Sequence, residues 1–302
     1  MKDLLRIILQ RVALVTPKLK SKPILVTGIH RSGTTFVGTV LAQSRAVGYV
    51  YEPLNPEFGY LIEGNKCKVC NLELNKWFIS PSKENQKFLL KHLKHLINAK
   101  TLLGKIPVFK SPFGFFLTEM FVEEYQAQII MMIRNPLGFV SSIKRKNWEF
   151  DFNNFKTQPE LLDLLPQDYR ALIEKYADNP PDIIDQGILL WNIFYRKVFK
   201  FQKEYPDWIY LKQEDVSTDS TKVFEALFDN LGLDLTQEIN QYILENTDSK
   251  NPIEEESKII HSLKRNSKEL VHLWKERLTD DEVERILKGT KNIGKLFYPD
   301  LY

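Results

Sequence analysis

Cysteine, long apolar runs and an excess of charge of one sign are all scarce in this chain of 302 residues. It contains two cysteines, 13 glycines and 15 prolines, and its 42 Lys and Arg residues nearly balance 39 Asp and Glu. So few cysteines exclude a disulfide framework, and this composition excludes a collagen-like or wholly disordered chain. The net charge of +3 excludes the basicity of a general nucleic-acid binder but leaves room for a local basic pocket.

The sequence also lacks the run of about 20 apolar residues that a membrane-spanning helix needs. Residues 1–22 mix Leu, Ile and Val with two arginines and end in three spaced lysines, without a small-residue cleavage site for a signal peptide. We favour a helix packed on the domain over a basic amphipathic helix that touches a membrane. We therefore expect a cytoplasmic protein, with peripheral membrane contact as the second interpretation.

The two cysteines form a C-x-x-C pair at Cys67 and Cys70. His92 and His95 offer two further metal ligands, but they lie further along the chain and closer together than zinc-finger spacing requires. We favour an incidental or locally bridged cysteine pair over a redox or metal role. No metal is expected.

Short apolar strands alternate with helical patterns through most of the chain. The sequence predicts strands at residues 23–27, 47–51, 106–110, 128–134 and 208–212. Helices are predicted after the first strand and at residues 84–98, 115–125, 136–146, 183–204, from about 221, and in the charged tail. This order predicts a three-layer α/β/α fold with a mainly parallel central sheet, like that of P-loop nucleotide hydrolases.

The alternation breaks at about residues 147–185, where prolines and aromatics are scattered among acids. We interpret this stretch as an insertion in a single domain of residues 23–302, preceded by an extension of residues 1–22. Four aromatic side chains of the insertion offer stacking surface for a sugar or an aromatic acceptor, although core packing is favoured: Trp148, Phe150, Phe152 and Phe155.

A glycine-rich loop lies between the first strand and the first helix. Residues 28–35 read GIHRSGTT, and backbone N–H groups in such a loop favour an anion together with the helix dipole. The spacing fits the nucleotide triphosphatase loop, except that Thr34 occupies the lysine position. Without that lysine the loop lacks a principal clamp for the β and γ phosphates of ATP or GTP.

This loop resembles that of the sulfotransferases that use 3′-phosphoadenosine 5′-phosphosulfate (PAPS), in which a basic residue precedes Ser-Gly-Thr-Thr. The pattern is closest to the branch that acts on carbohydrates and protein tyrosines. The resemblance implies a three-layer sulfotransferase domain without a metal, and a 5′-phosphosulfate site built from Arg31, Ser32, Gly33, Thr34, Thr35 and Phe36.

A second family signature places an arginine at the end of a buried strand and a serine eight residues later. Arg134 ends the strand at 128–134, and Ser142 follows at that spacing. The resemblance implies that both contact the 3′-phosphate of the donor. The residues themselves agree, since an arginine at the end of a buried strand needs an anionic partner, either a ligand or an acid of the protein.

The same resemblance suggests roles in sulfonate transfer. Glu52, within Tyr-Glu-Pro-Leu, is the favoured general base, and His30 is its rival because histidine exchanges protons near neutrality. Arg31 would stabilise the leaving phosphate. Lys110 would stabilise charge in the transition state, with an ordinary surface lysine as the equal alternative.

Near the C-terminus, a basic loop precedes Trp274 and resembles the late loop that holds the 3′-phosphate in the family. Its candidates are Lys264, Arg265 and Ser267, with a solvated charged surface as the alternative. Asp215 is better interpreted as part of a family-like segment before a helix than as a magnesium ligand.

The leading hypothesis is therefore a sulfotransferase that moves sulfonate from PAPS to a hydroxyl. A sugar or glycoconjugate is the favoured acceptor, with a phenol or tyrosine as the alternative, and no nucleic-acid partner is expected. Two other hypotheses remain open: a P-loop kinase or nucleotide hydrolase that tolerates the missing lysine, and a non-catalytic protein that binds a phosphorylated ligand.

Overall fold

A parallel β-sheet covered by helices forms the centre of the computed structural model, which describes residues 8–9, 11–13, 15–55, 61–62, 65–66, 76–253 and 263–302. Its strands are β1 (Ile24–Gly28), β2 (Val47–Tyr51), β5 (Ile106–Lys110), β6 (Gln128–Ile133) and β7 (Ile209–Lys212). The strand order is β2-β5-β1-β6-β7, and a separate antiparallel pair consists of β3 (Leu61–Ile62) and β4 (Asn65–Lys66). The predicted α/β fold class is confirmed.

Burial explains why the strands could be recognised in the sequence. All five residues of β1 are buried, and only the first residue of β6 is exposed, as expected for strands covered on both faces. In the parallel pairings, Ile24 of β1 lies opposite Val108, and Val47 of β2 lies opposite Ile106.

The helices follow the predicted alternation. They are α1 (Thr34–Leu41), α2 (Lys83–Thr101), α3 (Thr118–Tyr125), α4 (Pro136–Lys146), α5 (Asn153–Lys156), α6 (Pro159–Asp163), α7 (Gln167–Asp178), α8 (Ile183–Glu204), α9 (Gln213–Thr218), α10 (Ser220–Leu231), α11 (Gln237–Thr247), α12 (Ser267–Leu270), α13 (Trp274–Arg277) and α14 (Asp280–Phe297). Two 3₁₀ helices span Pro112–Leu117 and Pro299–Leu301. Every described helix is too short or too polar to span a bilayer.

Two local predictions needed correction. The helix predicted at 115–125 is α-helical only from Thr118, because the proline-initiated segment before it winds as a 3₁₀ helix. Helix α9 was missed because its six residues include one apolar side chain, Val216, and therefore show no helical period.

The chain divides into two compact units, one of residues 1–28 and 34–131 and the other of residues 29–33 and 132–302. The prediction of one domain over residues 23–302 therefore stays a prediction. In the second unit, a Cβ at Gly187 of α8 would lie 2.9 Å from a methyl group of Val140 in α4. Glycine therefore permits the close packing of these two helices.

The insertion at 147–185 contains the short helices α5, α6 and α7. Phe150, Phe152 and Phe155 are all buried, and the ring of Phe150 lies 5.1 and 5.5 Å from the other two. These three side chains therefore pack in the core, as favoured from the sequence. Trp148 differs, since 41% of it is exposed.

Within the first unit, one asparagine makes four hydrogen bonds that fix the N-terminal segment to α2. The fully buried amide of Asn98 in α2 donates hydrogen bonds to the carbonyls of Ala13, Thr16 and Pro17 at 3.1 to 3.2 Å. Its carbonyl oxygen accepts from the backbone N–H of Leu19 at 3.1 Å. One side chain thus satisfies four backbone groups of a segment that lacks strand partners of its own.

Replacing this side chain should therefore be costly. We expect Asn98→Ala to lower the free energy of unfolding by about 3 kcal/mol, because several buried groups lose their partners together. Urea unfolding followed by circular dichroism measures the change. Asn153→Ala is the control, since the side chain of Asn153 bonds only to exposed Asp151 among the described residues. Equal stability of the two variants would contradict the role given to Asn98.

Candidate functional site

The glycine-rich loop forms a tight turn between β1 and α1. Ser32 is fully buried, and both its N–H and its hydroxyl donate to the carbonyl of Ile29, at 3.2 and 2.5 Å. Gly33 has a φ of +91°, and a Cβ there would lie 3.3 Å from Gln213, so this position favours glycine. In this structure Ser32 closes the turn. Its predicted contact with a phosphate stays a prediction.

The turn holds Arg31 in the left-handed region, at a φ of +64°. Its Nε donates to the hydroxyl of Ser142 at 2.9 Å, and its guanidinium lies 5.3 Å from the centre of the Trp148 ring. Nη1 of Arg134 donates to the carbonyl of Arg31 at 2.6 Å. The structure therefore brings the two separate sequence motifs into direct contact within the second unit.

Aromatic side chains of α8 fix the backbone of Arg134. Nε1 of Trp191 donates to the Arg134 carbonyl at 3.0 Å, and the hydroxyl of Tyr195 forms hydrogen bonds with both the N–H and the carbonyl of Arg134. The rings of Trp191 and Tyr195 stack with centroids 3.9 Å apart. This fixes the residue that ends the β6 strand region.

The residues at the start of α4 also help to position Arg134. Asn135 caps the helix by accepting from the N–H of Gly138 at 2.6 Å, and its own N–H donates to Glu214 at 2.9 Å. A Cβ at Gly138 would lie 3.0 Å from Nε of Arg134. Asn135 thus caps the helix predicted at residues 136–146, and Gly138 leaves room for the guanidinium.

The electrostatics of Arg134 indicate a site for an anion. Its pKa is lowered to about 10, first by burial and further by the positive charges of Arg31 and Arg277, while Glu214 opposes the shift. Its Nε is buried and has no hydrogen-bond partner among the described residues. A half-buried guanidinium beside two other positive charges is costly, and an anion would offset the cost.

Arg277 was not predicted from the sequence. It lies in α13, three residues after Trp274, and its carbonyl accepts from Lys144 at 3.0 Å. The only available signal was its place in a charged tail, where such residues are common.

The predicted late-loop residues have structural partners. The hydroxyl of Ser267 donates to the carbonyl of Ser217 at 2.7 Å, and Nη1 of buried Arg265 donates to the carbonyl of Lys264 at 2.6 Å. Lys264 itself is exposed. Their contact with a donor stays a prediction.

His30 is poorly suited to accept a proton near neutral pH. It is buried against Phe139, with ring centroids 5.3 Å apart. Burial, followed by the charge of Arg31, lowers the pKa of His30 to about 3. A base this weak contributes little at neutrality, which favours Glu52 over His30.

Glu52 lies in the first unit, directly after β2, and is 9% exposed. Its Oε1 accepts from Nζ of Lys110, and its Oε2 accepts from Nδ2 of Asn55 at 2.7 Å. Its N–H donates to the carbonyl of Lys110 at 2.8 Å, and its φ is +41°, in the region that most residues avoid. The surrounding bonds therefore hold a strained backbone and both carboxylate oxygens in place.

Lys110 is not the surface lysine that the sequence left open, because it is 2% exposed. Its ammonium lies 4.6 Å from the centre of the Tyr51 ring and also donates a hydrogen bond to the Glu52 carboxylate. Burial, followed by the charge of Glu52, raises the pKa of Tyr51 to about 12, while a hydrogen bond with Thr35 opposes the shift. Gly38 of α1 allows this packing, since a Cβ there would lie 3.1 Å from Lys110.

The other loop positions lie at the start of α1. Thr34 is buried, while Thr35 and Phe36 are half-buried. No three His, Cys, Asp or Glu side chains cluster as metal ligands in the part of the chain that the structure describes. His92 and His95 are buried in α2, and Cys67 and Cys70 lie outside the described residues.

A solved sulfotransferase structure shares this fold. Sulfotransferase STF9 from Mycobacterium avium is 12% identical, with a TM-score of 0.51, and the match covers 95% of this chain and 79% of that one. Mouse sulfotransferase SULT7A1, complexed with PAP, is 14% identical, with a TM-score of 0.48 and coverage of 95% and 92%. No curated protein sequence matches the chain.

A family model described as the sulfotransferase domain matches residues 21–296, which is nearly the whole chain. The match includes the loop at 28–35, Glu52 and the pair formed by Arg134 and Ser142. The chain therefore belongs to the sulfotransferase family, whose chemistry is the transfer of a sulfonate group.

Proposed function

We propose that the protein transfers sulfonate from PAPS to a hydroxyl of a carbohydrate or glycoconjugate. The contact of Arg31 with Arg134 and Ser142 carries this proposal, because it joins the two motifs that the family resemblance links to the donor. The loop lacks the lysine of nucleotide triphosphatases, since Thr34 stands in its place, so the kinase or hydrolase alternative is not favoured.

Arg134 and Ser142 are the proposed partners of the 3′-phosphate. Arg31 and Arg277 both act on Arg134 with their positive charges, and this concentration of guanidinium groups fits a multiply charged anion better than it fits a neutral ligand. The loop at 28–35 and its helix start would hold the 5′-phosphosulfate through N–H and hydroxyl groups. The residues present therefore fit a donor that carries anionic groups at both ends.

In the proposed reaction, the acceptor oxygen forms a bond to sulfur while the bond between sulfur and the bridging oxygen of the donor breaks, releasing PAP. Glu52 takes the proton of the acceptor hydroxyl, and Arg31 stabilises the negative charge that develops on the leaving phosphate. Lys110 and Asn55 position the carboxylate of Glu52, one on each oxygen. Each carboxylate oxygen keeps a second lone pair with which it can accept that proton.

Trp148 supports a sugar acceptor. It is exposed while the neighbouring phenylalanines of the insertion are buried, and its ring lies over the guanidinium of Arg31. An exposed aromatic face beside a charged group suits the apolar face of a sugar ring. The Tyr-Glu-Pro-Leu sequence at residues 51–54 favours the same class.

Loss of Arg134 should weaken donor binding. We expect Arg134→Gln to reduce PAP affinity by about 10- to 100-fold, because charge-assisted hydrogen bonds to a phosphate are lost. Calorimetric titration with PAP measures the change. Arg170→Gln is the control, since Arg170 pairs with exposed Asp163 and bonds to the carbonyl of Leu165 within the insertion. Unchanged PAP affinity in Arg134→Gln would contradict the proposed 3′-phosphate site.

Glu52 should affect chemistry rather than donor binding. We expect Glu52→Gln to lower kcat by about 100- to 10,000-fold with PAP affinity unchanged, because the amide cannot accept the acceptor proton. Asn55→Ala should lower kcat by a smaller factor without changing PAP affinity. Assays with labelled PAPS and a panel of glycans measure both, and wild-type kcat in Glu52→Gln would remove it from the mechanism.

Trp148 should affect the acceptor alone. We expect Trp148→Ala to raise KM for a glycan acceptor by about fivefold, as the loss of an aromatic contact worth about 1 kcal/mol suggests, while KM for PAPS stays the same. Leu164→Ala, at another exposed apolar position, is the control. A panel that also contains phenols and tyrosine peptides tests the class, and exclusive turnover of phenols would contradict the carbohydrate proposal.

A further inference from the structure

Exposed aliphatic side chains are concentrated in two segments of the first unit. Among the described residues, ten large apolar side chains are exposed, and five of them lie in these segments. We call these five the N-terminal patch: Ile8, Val12, Val15, Leu102 and Leu103. Their exposed fractions range from 40% for Leu102 to 80% for Val15. Scattered apolar residues on a surface are ordinary, but such a concentration indicates an interaction surface.

The hydrogen bonds of the Asn98 side chain join the two segments of the patch. Asn98 bonds to the carbonyls of residues 13, 16 and 17, directly beside Val12 and Val15. Leu102 lies one helical turn after Asn98, its N–H bonding to the Asn98 carbonyl at 2.8 Å, so both residues belong to the same stripe of the helical segment. A buried polar anchor thus fixes a segment whose apolar side chains remain exposed to solvent.

The surroundings of the patch are basic. No Asp or Glu occurs at residues 4–51 or 85–118, the stretches that contain all five patch residues. Arg11, Lys20 and Lys22 are exposed within the first stretch. Lys18 differs because it pairs with Glu124 of α3 at 3.8 Å, next to exposed Glu123. Among the described residues, the exposed positive charges of Arg11, Lys20 and Lys22 therefore accompany the aliphatic surface.

We propose that the N-terminal patch binds the surface of an anionic lipid bilayer. Aliphatic side chains flanked by lysines match the apolar and charged layers of such a surface. Protein interfaces are instead enriched in aromatic residues and depleted in lysine. A second copy of the chain is disfavoured, because a two-fold interface would bring equal patches of positive charge together.

Cosedimentation of the full chain with lipid vesicles tests the proposal. We expect binding to mixed phosphatidylcholine and phosphatidylserine vesicles, weak binding to phosphatidylcholine alone, and a loss of binding as salt is raised. The double variant Lys20→Glu and Lys22→Glu should weaken binding by about 30-fold or more, because each cation near an anionic surface contributes about fivefold. Lys291→Glu with Lys295→Glu makes the same charge change at exposed positions of α14 and should bind like the wild type.

A separate double variant tests how much the apolar side chains contribute to vesicle binding. Val12→Ser with Val15→Ser should weaken vesicle binding by about tenfold or more, as expected from lost aliphatic burial. Leu164→Ser with Leu244→Ser, at exposed positions of the second unit, should have no effect. All four double variants change exposed residues, and thermal melting checks that they fold.

Three outcomes would overturn the proposal. The first is no binding to the anionic vesicles. The second is an equal loss of binding in Lys291→Glu with Lys295→Glu, which would show an effect of net charge alone. The third is a dimer in sedimentation velocity that Val12→Ser with Val15→Ser converts to a monomer, without vesicle binding by the wild type. Sulfotransferase activity does not enter any of these measurements.

Discussion

The hydrogen bond from the Arg134 guanidinium to the Arg31 carbonyl is the contact on which the proposed donor site depends. It joins the glycine-rich loop to the end of β6, two parts of the chain about a hundred residues apart in sequence. It also concentrates positive charge, since Arg31 and Arg277 both act on Arg134 and Glu214 is the acid that opposes them. Trp191 and Tyr195 fix the backbone of Arg134, and Gly138 leaves room for its half-buried guanidinium. Such a group is stable only with an anion or a strong polar network nearby.

In the first unit, Glu52 is held by an ion pair with Lys110 and a hydrogen bond from Asn55. Thr34, at the start of α1, occupies the lysine position of the loop, and Lys110, at the end of β5, is a buried lysine of the same unit. It neutralises Glu52, whose burial alone would be costly. Asn55 fixes the second carboxylate oxygen, so a proton acceptor would need little reorganisation to reach its working position. The proposed acid–base chemistry therefore depends on an ion pair that the sequence pattern did not reveal.

The sequence predicted the elements whose apolar residues are continuous or recur at a regular spacing. All five strands of the central sheet and the long helix α8 were found because their apolar residues are continuous or repeat regularly. Helix α9 carries one buried aliphatic residue and was missed, and the 3₁₀ helix at Pro112–Leu117 was assigned to an α-helix. Boundaries and short helices depend on packing that a local pattern does not contain.

The candidate site was predictable in its motifs and not in its contacts. Arg31, Arg134 and Ser142 were identified by spacing, but the bond between Arg31 and Ser142 depends on the folded positions of the loop and α4. Arg277 had no signal beyond a charged tail. His30 looked suitable as a base because histidine ordinarily titrates near neutrality, and only its burial shows that its pKa is lowered to about 3.

A crystal structure of the protein soaked with PAP tests the central claim most directly. The account predicts the 3′-phosphate within hydrogen-bond distance of the Arg134 guanidinium and the Ser142 hydroxyl, and the 5′-phosphate against the loop at residues 28–35. Electron density for PAP elsewhere, with both arginines unchanged in a solvent-filled region, would contradict it.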